Sequence, residues 1–413
     1  MTIALRDYQN ECIDTVLNEF QSGINRQLIS LPTGSGKTII MSAIAKQINK
    51  KTLILAHREE LIQQTVDKMR LFWPEVSIGV CMGERDEIHS QIVVGSVQSC
   101  SRSKRLNRLL DLGFELLLID EAHHATADSY QNIIKATGFS NDSNKLLIGV
   151  TATASRSDKQ SLGETFDKIT FNRSISTMIL AGYLSPVIGR KILTNLALDR
   201  IRTQNGDFAV RDLSEAVNTD QRNKFIVDKF KEYAEGRKGV AFCCDVKHSK
   251  DLAKLFTKEG IQAAAVWGDM PTDKRKKTLK KFKHGKIQVV TSCGILVEGY
   301  DEPSIDAIIM ARPTKSSALY IQSVGRGLRL WPGKSNCLVL DFNDNEHNLE
   351  SVMSLSCVVP ESTVIKQENE SDRKNEEIEK LDRVSKIECF DEVDKEFDIL
   401  VSNCINSFTK NIP

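Results

Sequence analysis

The chain has 413 residues, 40% hydrophobic and 27% charged, which predicts a soluble globular protein of two domains and a tail rather than a single core. The formal net charge of +1 gives no overall attraction to nucleic acid or membranes, so any polyanion binding requires local basic patches. We found no signal-peptide-like region at the N-terminus and no apolar run of the roughly 18 residues that a membrane helix requires.

The first part of the chain alternates short apolar strands with amphipathic helices. After an apolar run at 28–31, strands are predicted at 52–56, 76–80, 92–94, 114–119 and 146–150. Helices are predicted at 5–20, 39–48, 59–69, 106–110 and 130–134. This alternation is typical of a parallel sheet covered by helices on both faces, so we expect an α/β domain.

The alternation lapses between residues 183 and 222 and then resumes. Strands are predicted at 239–243, 263–266, 287–291, 305–310 and 338–340, and helices at 249–256 and 272–282. The remainder is polar and charge-rich, with a weak apolar helix pattern after residue 387. We therefore expect a first domain at 1–182, a linker at 183–222, a second α/β domain at 223–345 and a charged tail at 346–413, either helical or disordered.

The ten cysteines include no C-x-x-C pair and no spaced quartet of cysteine and histidine, which argues against structural zinc. Cys243 and Cys244 lie in the apolar run GVAFCC, where a free thiol behaves as a small core hydrophobe. This usage fits a reducing, cytoplasmic location.

In the stretch LPTGSGKT at 31–38, the small residues Gly34, Ser35 and Gly36 lie between an apolar run and a segment with helical spacing of apolar residues. Such a turn can wrap backbone N–H groups around phosphate, and the following helix adds its positive N-terminal end. Lys37 is placed to reach the β- and γ-phosphates, and Thr38 to hold Mg²⁺. The other nucleotide-binding candidates in the turn are Leu31, Pro32, Thr33, Gly34, Ser35 and Gly36. A dinucleotide-binding loop fits less well, because Ile39 stands where its third glycine would be.

A second motif is a buried strand, Leu116 to Ile119, that runs directly into Asp120 and Glu121. A parallel strand delivers its carboxyl end to the same sheet edge as the phosphate loop, so Asp120 can hold Mg²⁺ while Glu121 orients and deprotonates the attacking water. His123 and His124 also follow, but without an H-E-x-x-H pattern a zinc site is disfavoured.

In the second domain, QSVGRGLR at 322–329 places Arg326 and Arg329 on neighbouring positions of one helix face. Guanidinium groups in an inter-domain cleft would stabilise charge on the γ-phosphate in the transition state, an effect of roughly 10³ to 10⁵ in rate. Surface arginines in a glycine-containing loop are the alternative.

Taken in chain order, these motifs resemble those of superfamily 2 helicases. The set comprises LRDYQ (5–9), PTGSGKT (32–38), AHREEL (56–61), GSVQS (95–99), DEAH (120–123), TAT (151–153), EGYDEP (298–303) and QSVGRGLR (322–329). Within that superfamily the chain is most similar to DEAD/DEAH-box proteins of the RadD type and their relatives near the XPB group. The resemblance implies two RecA-like domains and an ATPase that translocates on or unwinds nucleic acid, with DNA favoured over RNA and an RNA helicase as the alternative.

The resemblance also implies roles for single residues. Adenine recognition is implied for Arg6 and Gln9, and approach to the ribose for Asp301. The residues implied in hydrolysis are Lys37, Thr38, Asp120, Glu121, Gln322, Arg326 and Arg329, with coupling to movement through Thr151 and Thr153. Those implied to contact the nucleic-acid backbone are His57, Arg58, Ser96, Gln98, Thr291 and Ser292. Two departures are Ala154 in place of the frequent proline and the lack of a cysteine-rich zinc module after Asp341, so a RadD role in repair is not transferred.

Two questions stay open at the level of the sequence. Eight basic residues lie on or beside the helix at 272–282, namely Lys274, Arg275, Lys276, Lys277, Lys280, Lys281, Lys283 and Lys286. They form either a solvated face or a patch that tracks phosphates. The ATPase either separates strands or acts as an ATP-gated clamp or remodelling scaffold, and a strand-displacement assay distinguishes these two activities.

Overall fold

The computed structural model describes residues 4–342 apart from 153–161, 193, 195–197, 205 and 298. The chain divides into two compact units, Met1–Arg173 and Ser174–Pro413. Thr153, Ala154, Glu298 and the predicted tail lie outside the described residues. None of the helices in the described ranges has the length and hydropathy needed to cross a membrane.

The first unit is built on an eight-stranded sheet with the order β4-β3-β5-β2-β6-β7-β1-β8. Its strands are β1 (Arg26–Ser30), β2 (Thr52–Ala56), β3 (Ile78–Met82), β4 (Arg85–Asp86), β5 (Ile92–Ser96), β6 (Leu116–Asp120), β7 (Leu146–Thr151) and β8 (Lys168–Asn172). Its helices are α1 (Asp7–Gln21), α2 (Lys37–Ile48), α3 (Glu59–Phe72), α4 (Val97–Cys100), α5 (Ser103–Leu110) and α6 (Asp128–Ala136). All pairings are parallel except β3 with β4.

The central strands β2, β5, β6 and β7 are buried along their whole length. Their near-continuous apolar sequences fit a parallel sheet that is covered on both faces. The register pairs Ser30 of β1 with Thr151 of β7, and Asp120 of β6 with Val150 of β7. The phosphate-loop segment after β1 and the acidic pair after β6 therefore leave the sheet at the same edge.

The second unit contains a six-stranded parallel sheet with the order β13-β14-β12-β15-β16-β9. Its strands are β9 (Val187–Lys191), β12 (Gly239–Phe242), β13 (Ala263–Trp267), β14 (Val289–Cys293), β15 (Ala307–Met310) and β16 (Cys337–Asp341), and a separate hairpin joins β10 (Thr203–Gln204) to β11 (Asp207–Phe208). Its helices are α7 (Ile175–Leu180), α8 (Val210–Val217), α9 (Asp220–Tyr233), α10 (Val246–Lys258), α11 (Thr272–Lys283) and α12 (Ser317–Gly325).

The segment 183–222, expected to be a linker, is partly built into the second unit. Strand β9 forms the edge of its sheet by pairing with β16, from Val187 opposite Cys337 to Lys191 opposite Asp341. Helix α8 packs Leu213 and Val217 into a small core with Phe208 and Cys244. The sequence pattern missed β9 because only Gly189 in VIGRK is fully buried, so the strand has no continuous apolar run.

Candidate active site

The loop between β1 and α2 turns on two glycines. Gly34 and Gly36 have φ values of 92° and 79°, in the left-handed region that favours glycine. A Cβ at Gly36 would lie 2.8 Å from Gln9 Nε2, so a side chain here would both strain the backbone and displace the Gln9 amide. The Gly36 carbonyl accepts from the N–H groups of Ile39 and Ile40 at 2.8 and 3.2 Å, which begins the helix.

Lys37 is the first residue of α2, and its ammonium group lies across the loop. Its Nζ donates to the carbonyl of Leu31 at 3.2 Å. Thr38 follows on the same helical turn, and its carbonyl accepts from Ser42 Oγ at 2.7 Å. Lys37 and Thr38 therefore both lie in the first turn of a twelve-residue helix, whose N-terminus carries a positive partial charge.

The start of helix α1 is fastened to this loop. Gln9 donates from Nε2 to the carbonyl of Ser35 at 3.2 Å, and the Tyr8 hydroxyl donates to the same carbonyl. The other end of the Gln9 amide accepts from the Arg6 N–H at 3.0 Å. Gln9 is only 4% exposed, so it links the N-terminus of α1 to the loop, whereas Arg6 is exposed beside it.

Asp120 and Glu121 form a buried acidic pair at the carboxyl end of β6, each 6% exposed. Asp120 Oδ1 accepts from the Glu121 N–H at 3.0 Å. Burial raises the pKa of Asp120 to about 6, the neighbouring charge of Glu121 acts in the same direction, and Lys37 and His57 oppose both. The opposing effect of Lys37 indicates that the ammonium of the loop and the carboxylate of β6 interact electrostatically.

Three histidines lie near the acidic pair, and one of them, His123, is next to Glu121. Glu121 Oε2 lies 3.4 Å from His123 Nδ1, which is in turn 3.5 Å from Thr151 Oγ1. The ring of His124 is centred 4.0 Å from that of His123 and 4.6 Å from that of His57. Sequence reasoning assigned no role to His123. Its link between Glu121 and Thr151 depends on a contact across β6 and β7 that the sequence does not reveal.

In the second unit, Arg326 and Arg329 converge on one loop. Arg326, 5% exposed, donates from Nε to the Val297 carbonyl at 2.7 Å and from Nη1 to the Tyr300 carbonyl at 2.9 Å. Arg329 Nη1 donates to the same Tyr300 carbonyl at 3.1 Å and lies 2.8 Å from Asp301 Oδ1. Helix α12 ends at Gly325, so the prediction that both arginines lie on one helix face is wrong: Arg326 caps the helix and Arg329 follows it. Both arginines contact the loop that carries Asp301. Gln322, on the same helix, is 4% exposed.

Three of the residues implied in nucleic-acid contact cluster after β2 and β5. Gln98 is exposed and donates from Nε2 to the His57 carbonyl at 3.4 Å, and Arg58 donates from Nε to His57 Nε2 at 3.3 Å. Ser96 differs from them, because it is 6% exposed and its hydroxyl accepts from the Ser99 N–H at 3.1 Å to cap α4. Its side chain acts as a cap in this structure.

Thr291 and Ser292, for which contact with a nucleic-acid backbone is predicted, have buried side chains that are hydrogen-bonded within the protein. Their exposed fractions are 0% and 1%. Thr291 Oγ1 donates to the Ser249 carbonyl at 2.7 Å, and Ser292 Oγ donates to the Ile295 carbonyl. Buried hydroxyls satisfy their hydrogen bonds internally, and here they fix the end of β14 to α10 and to the following turn.

Comparison with known proteins places the chain in a family. The model "Type III restriction enzyme, res subunit" matches residues 2–156, and "Helicase conserved C-terminal domain" matches residues 221–330. The "Putative ATP-dependent helicase IRC3" of Saccharomyces cerevisiae is 36% identical over 82% of this chain and 51% of its own length. The chain belongs to the superfamily 2 helicases.

Other relatives extend this comparison. The "DNA 3'-5' translocase XPB2" of Sulfurisphaera tokodaii is 25% identical to this chain over 79% of each chain. The chain spans about half the length of the budding-yeast IRC3 protein and 58% of that of its Schizosaccharomyces pombe counterpart.

Solved structures share the fold. A fragment of a putative HsdR subunit of a type I restriction enzyme from Vibrio vulnificus YJ016 matches with a TM-score of 0.64 and 23% identity, over 82% of this chain and 64% of that chain. The Saccharomyces cerevisiae Dbp5 structure with RNA and ADP BeF3 matches with a TM-score of 0.59 and 14% identity, over 92% and 98%. At such identities the likeness is one of fold, and it confirms the predicted pair of RecA-like α/β domains.

Proposed function

We propose that this chain hydrolyses ATP and uses the energy to translocate on or unwind nucleic acid. The observation that carries the proposal is the arrangement at one sheet edge of the first unit. There, Lys37 lies across a glycine turn at a helix N-terminus, and the buried pair Asp120 and Glu121 leaves the sheet at the same edge. The match to a helicase C-terminal domain and the relatives named ATP-dependent helicases support the same activity.

The loop would hold the phosphates of ATP, and Thr38 and Asp120 would hold Mg²⁺. In the part of the chain that the structure describes, no group of three or more histidine, cysteine or acidic side chains could bind a metal alone. One hydroxyl and one carboxylate suit Mg²⁺, which is usually bound by one or two carboxylates together with substrate phosphates. The ion, when bound, neutralises charge that develops on the phosphate oxygens.

Glu121 would orient the attacking water and accept its proton. Its Oε2 is buried without a hydrogen-bond donor among the described residues, and it lies 3.4 Å from His123 Nδ1. A buried carboxylate oxygen with spare acceptor capacity suits a general base, provided that water reaches it. His123 would then hold the orientation of the carboxylate and connect it to Thr151.

Arg326 and Arg329 would stabilise the γ-phosphate in the transition state, and Asp301 would approach the ribose. The support for these roles is the family motif at 322–329 and the contacts that hold both arginines and Asp301 on one loop. Because each arginine is already bound to carbonyl groups, its guanidinium is preorganised rather than free to rotate.

For the substrate we propose DNA, bound in part by the cluster of the half-buried His57 and Arg58 and the exposed Gln98. A relative named as a DNA translocase supports this choice. Another relative is named an RNA helicase, so both polymers belong in any activity test.

The nucleotide site is tested by substituting Lys37. Lys37→Ala removes the ammonium at the phosphate loop, and we expect ATP hydrolysis to fall by at least a hundredfold. Lys46→Ala is the matched control, because Lys46 is exposed near the other end of the same helix. Steady-state phosphate release measures both variants. Wild-type turnover in Lys37→Ala would contradict the proposal.

A further inference from the structure

One edge of the second sheet has no partner strand among the described residues. Strand β13 is at the end of the sheet order and pairs only with β14. Alternate N–H and C=O groups of such an edge strand point outward, which makes the edge a template for a further strand. Ala263, Ala264 and Ala265 are partly exposed along it, so little side-chain bulk covers the outward-facing backbone.

A groove of about 440 Å³ follows this edge. Helix α10 contributes Lys250 and Lys254, and helix α11 contributes Lys274. Its apolar lining residues are Ala253, Ala263, Ala264, Ala265, Trp267 and Met270. Every charged side chain that lines the groove is a lysine, and Lys250 Nζ lies 4.3 Å from the centre of the Trp267 ring.

These features fit an extended acidic peptide better than a nucleic acid. Main-chain hydrogen bonds to a sheet edge give affinity to a peptide strand, and alternating side chains give specificity. Nucleic acid would be attracted to the lysines but would gain nothing from the unpaired peptide groups. An added strand with acidic and apolar side chains would satisfy the strand edge, the lysines and the apolar lining together.

The chain itself contains such a segment. In residues 392–399, EVDKEFDI, the acidic residues Glu392, Asp394, Glu396 and Asp398 alternate strictly with Val393, Lys395, Phe397 and Ile399. Because successive side chains of a strand point to opposite faces, this spacing would give the segment one acidic face and one largely apolar face if it were added to a sheet edge in extended form. We propose that residues 392–399 bind along β13 as an additional strand, with the acidic side chains directed toward Lys250, Lys254 and Lys274.

The connecting chain is long enough for this contact. Forty-nine residues separate Phe342, at the end of the described range, from Glu392. A flexible chain of that length has a root-mean-square span of about 40 Å. A compact unit the size of the second one has a radius of gyration of about 15 Å, so the segment can reach any side of its surface.

Hydrogen exchange of the full chain tests the proposal. We expect the outward-facing amides of 263–267 to exchange about tenfold more slowly in the wild type than in the tail variant Glu392→Lys/Asp394→Lys/Glu396→Lys/Asp398→Lys. The groove variant Lys250→Glu/Lys254→Glu/Lys274→Glu should lose the same protection. Combining both variants should restore it, since the charges are then exchanged.

A matched control separates a specific contact from general charge effects. Lys276→Glu/Lys277→Glu/Lys281→Glu reverses three exposed lysines of α11 that do not line the groove, and it should leave the protection unchanged. Equal exchange in the wild type and the tail variant would overturn the proposal. Because the tail substitutions lie outside both described sheets, this comparison holds even if the groove variant folds poorly. Slower exchange at 263–267 only when single-stranded DNA is added would also overturn it and would assign the groove to nucleic acid.

Discussion

At Glu121 the backbone has a φ of 51°, a conformation that non-glycine residues seldom adopt and that costs of order 1–3 kcal/mol. The residue is buried and directly follows a five-residue buried strand. Such strain persists only where the surroundings determine it. Here it places the carboxylate beside His123, directly after the carboxyl end of β6. This position fits a group that must be held in one orientation.

The role of Glu121 is tested by Glu121→Gln. This variant keeps the shape but removes the proton acceptor, so we expect nucleotide binding to persist while hydrolysis falls by about 10²- to 10⁴-fold. A fluorescent ATP analogue measures binding, and single-turnover phosphate release measures chemistry. Glu115→Gln, just before the same strand and more exposed, is the control and should change neither. Parallel losses of binding and rate in Glu121→Gln would contradict the assignment.

Arg326 contributes to stability as well as to the proposed chemistry. Arg326→Ala removes the donors to the Val297 and Tyr300 carbonyls, and hydrogen bonds from charged groups contribute about 1.5–3 kcal/mol each. We expect the second unit to lose at least about 2 kcal/mol of unfolding free energy, measured by calorimetry. Arg275→Ala, which removes a bond to the Gly268 carbonyl on a more exposed helix, should lose much less. Unchanged stability in Arg326→Ala would show that these bonds do not hold the loop.

At the scale of elements, helix α10 is held to the sheet by a buried histidine. His248 Nδ1 lies 3.1 Å from Cys244 Sγ and accepts from the Cys244 N–H at 3.5 Å. Burial lowers the pKa of His248 from 6.5 to about 3; Arg222 acts in the same direction, and Asp245 and Asp251 oppose it. The imidazole is therefore neutral in the folded state over a pH range in which it would be charged in the unfolded chain.

The pH dependence follows from this difference. Since the unfolded chain binds the proton below pH 6.5, the native state loses stability as the pH falls toward 3. From pH 7 to 5, His248 alone should cost the second unit about 2 kcal/mol. In His248→Gln this loss should disappear, leaving a flatter pH profile. Urea unfolding followed by tryptophan fluorescence at both pH values measures the difference, and identical profiles would contradict the buried neutral state.

Elements with continuous apolar sequences could be predicted, because burial on both faces leaves a local signature. Strand β2 has the predicted bounds, and β6 differs by two residues at its start and one at its end. Strands β8 and β9 were not predicted. Each has only one fully buried residue, so neither requires the continuous apolar sequence that marks a central strand. Their formation depends on pairing with β1 and β16, contacts that no local pattern contains.

In the candidate site, too, local motifs could be predicted from the sequence, whereas contacts between distant segments could not. The glycine turn and the acidic pair are local motifs, and the structure places both at one sheet edge. The bond between Gln9 and Ser35 joins residues 26 positions apart, and the contact of Thr291 with Ser249 joins residues 42 apart. A local sequence pattern therefore does not reveal which polar residues at strand ends are hydrogen-bonded to distant parts of the protein.

At the scale of the whole molecule, each unit carries a different part of the proposed cycle. The first contributes the phosphate loop and the acidic pair, and the second contributes Arg326, Arg329 and Asp301. In the proposed cycle, nucleic acid promotes turnover by favouring the hydrolysis-competent conformation. The proposed function therefore requires that nucleic-acid binding raises the rate of ATP hydrolysis.

Steady-state ATP hydrolysis by the wild-type chain, with and without single-stranded, duplex and forked DNA or RNA, measures that coupling most directly. Lys37→Ala supplies the background rate. We expect at least one of these nucleic acids to raise the rate above the unstimulated value by about tenfold or more, with the largest effect from DNA. A rate that is the same with every nucleic acid as without any would contradict the account.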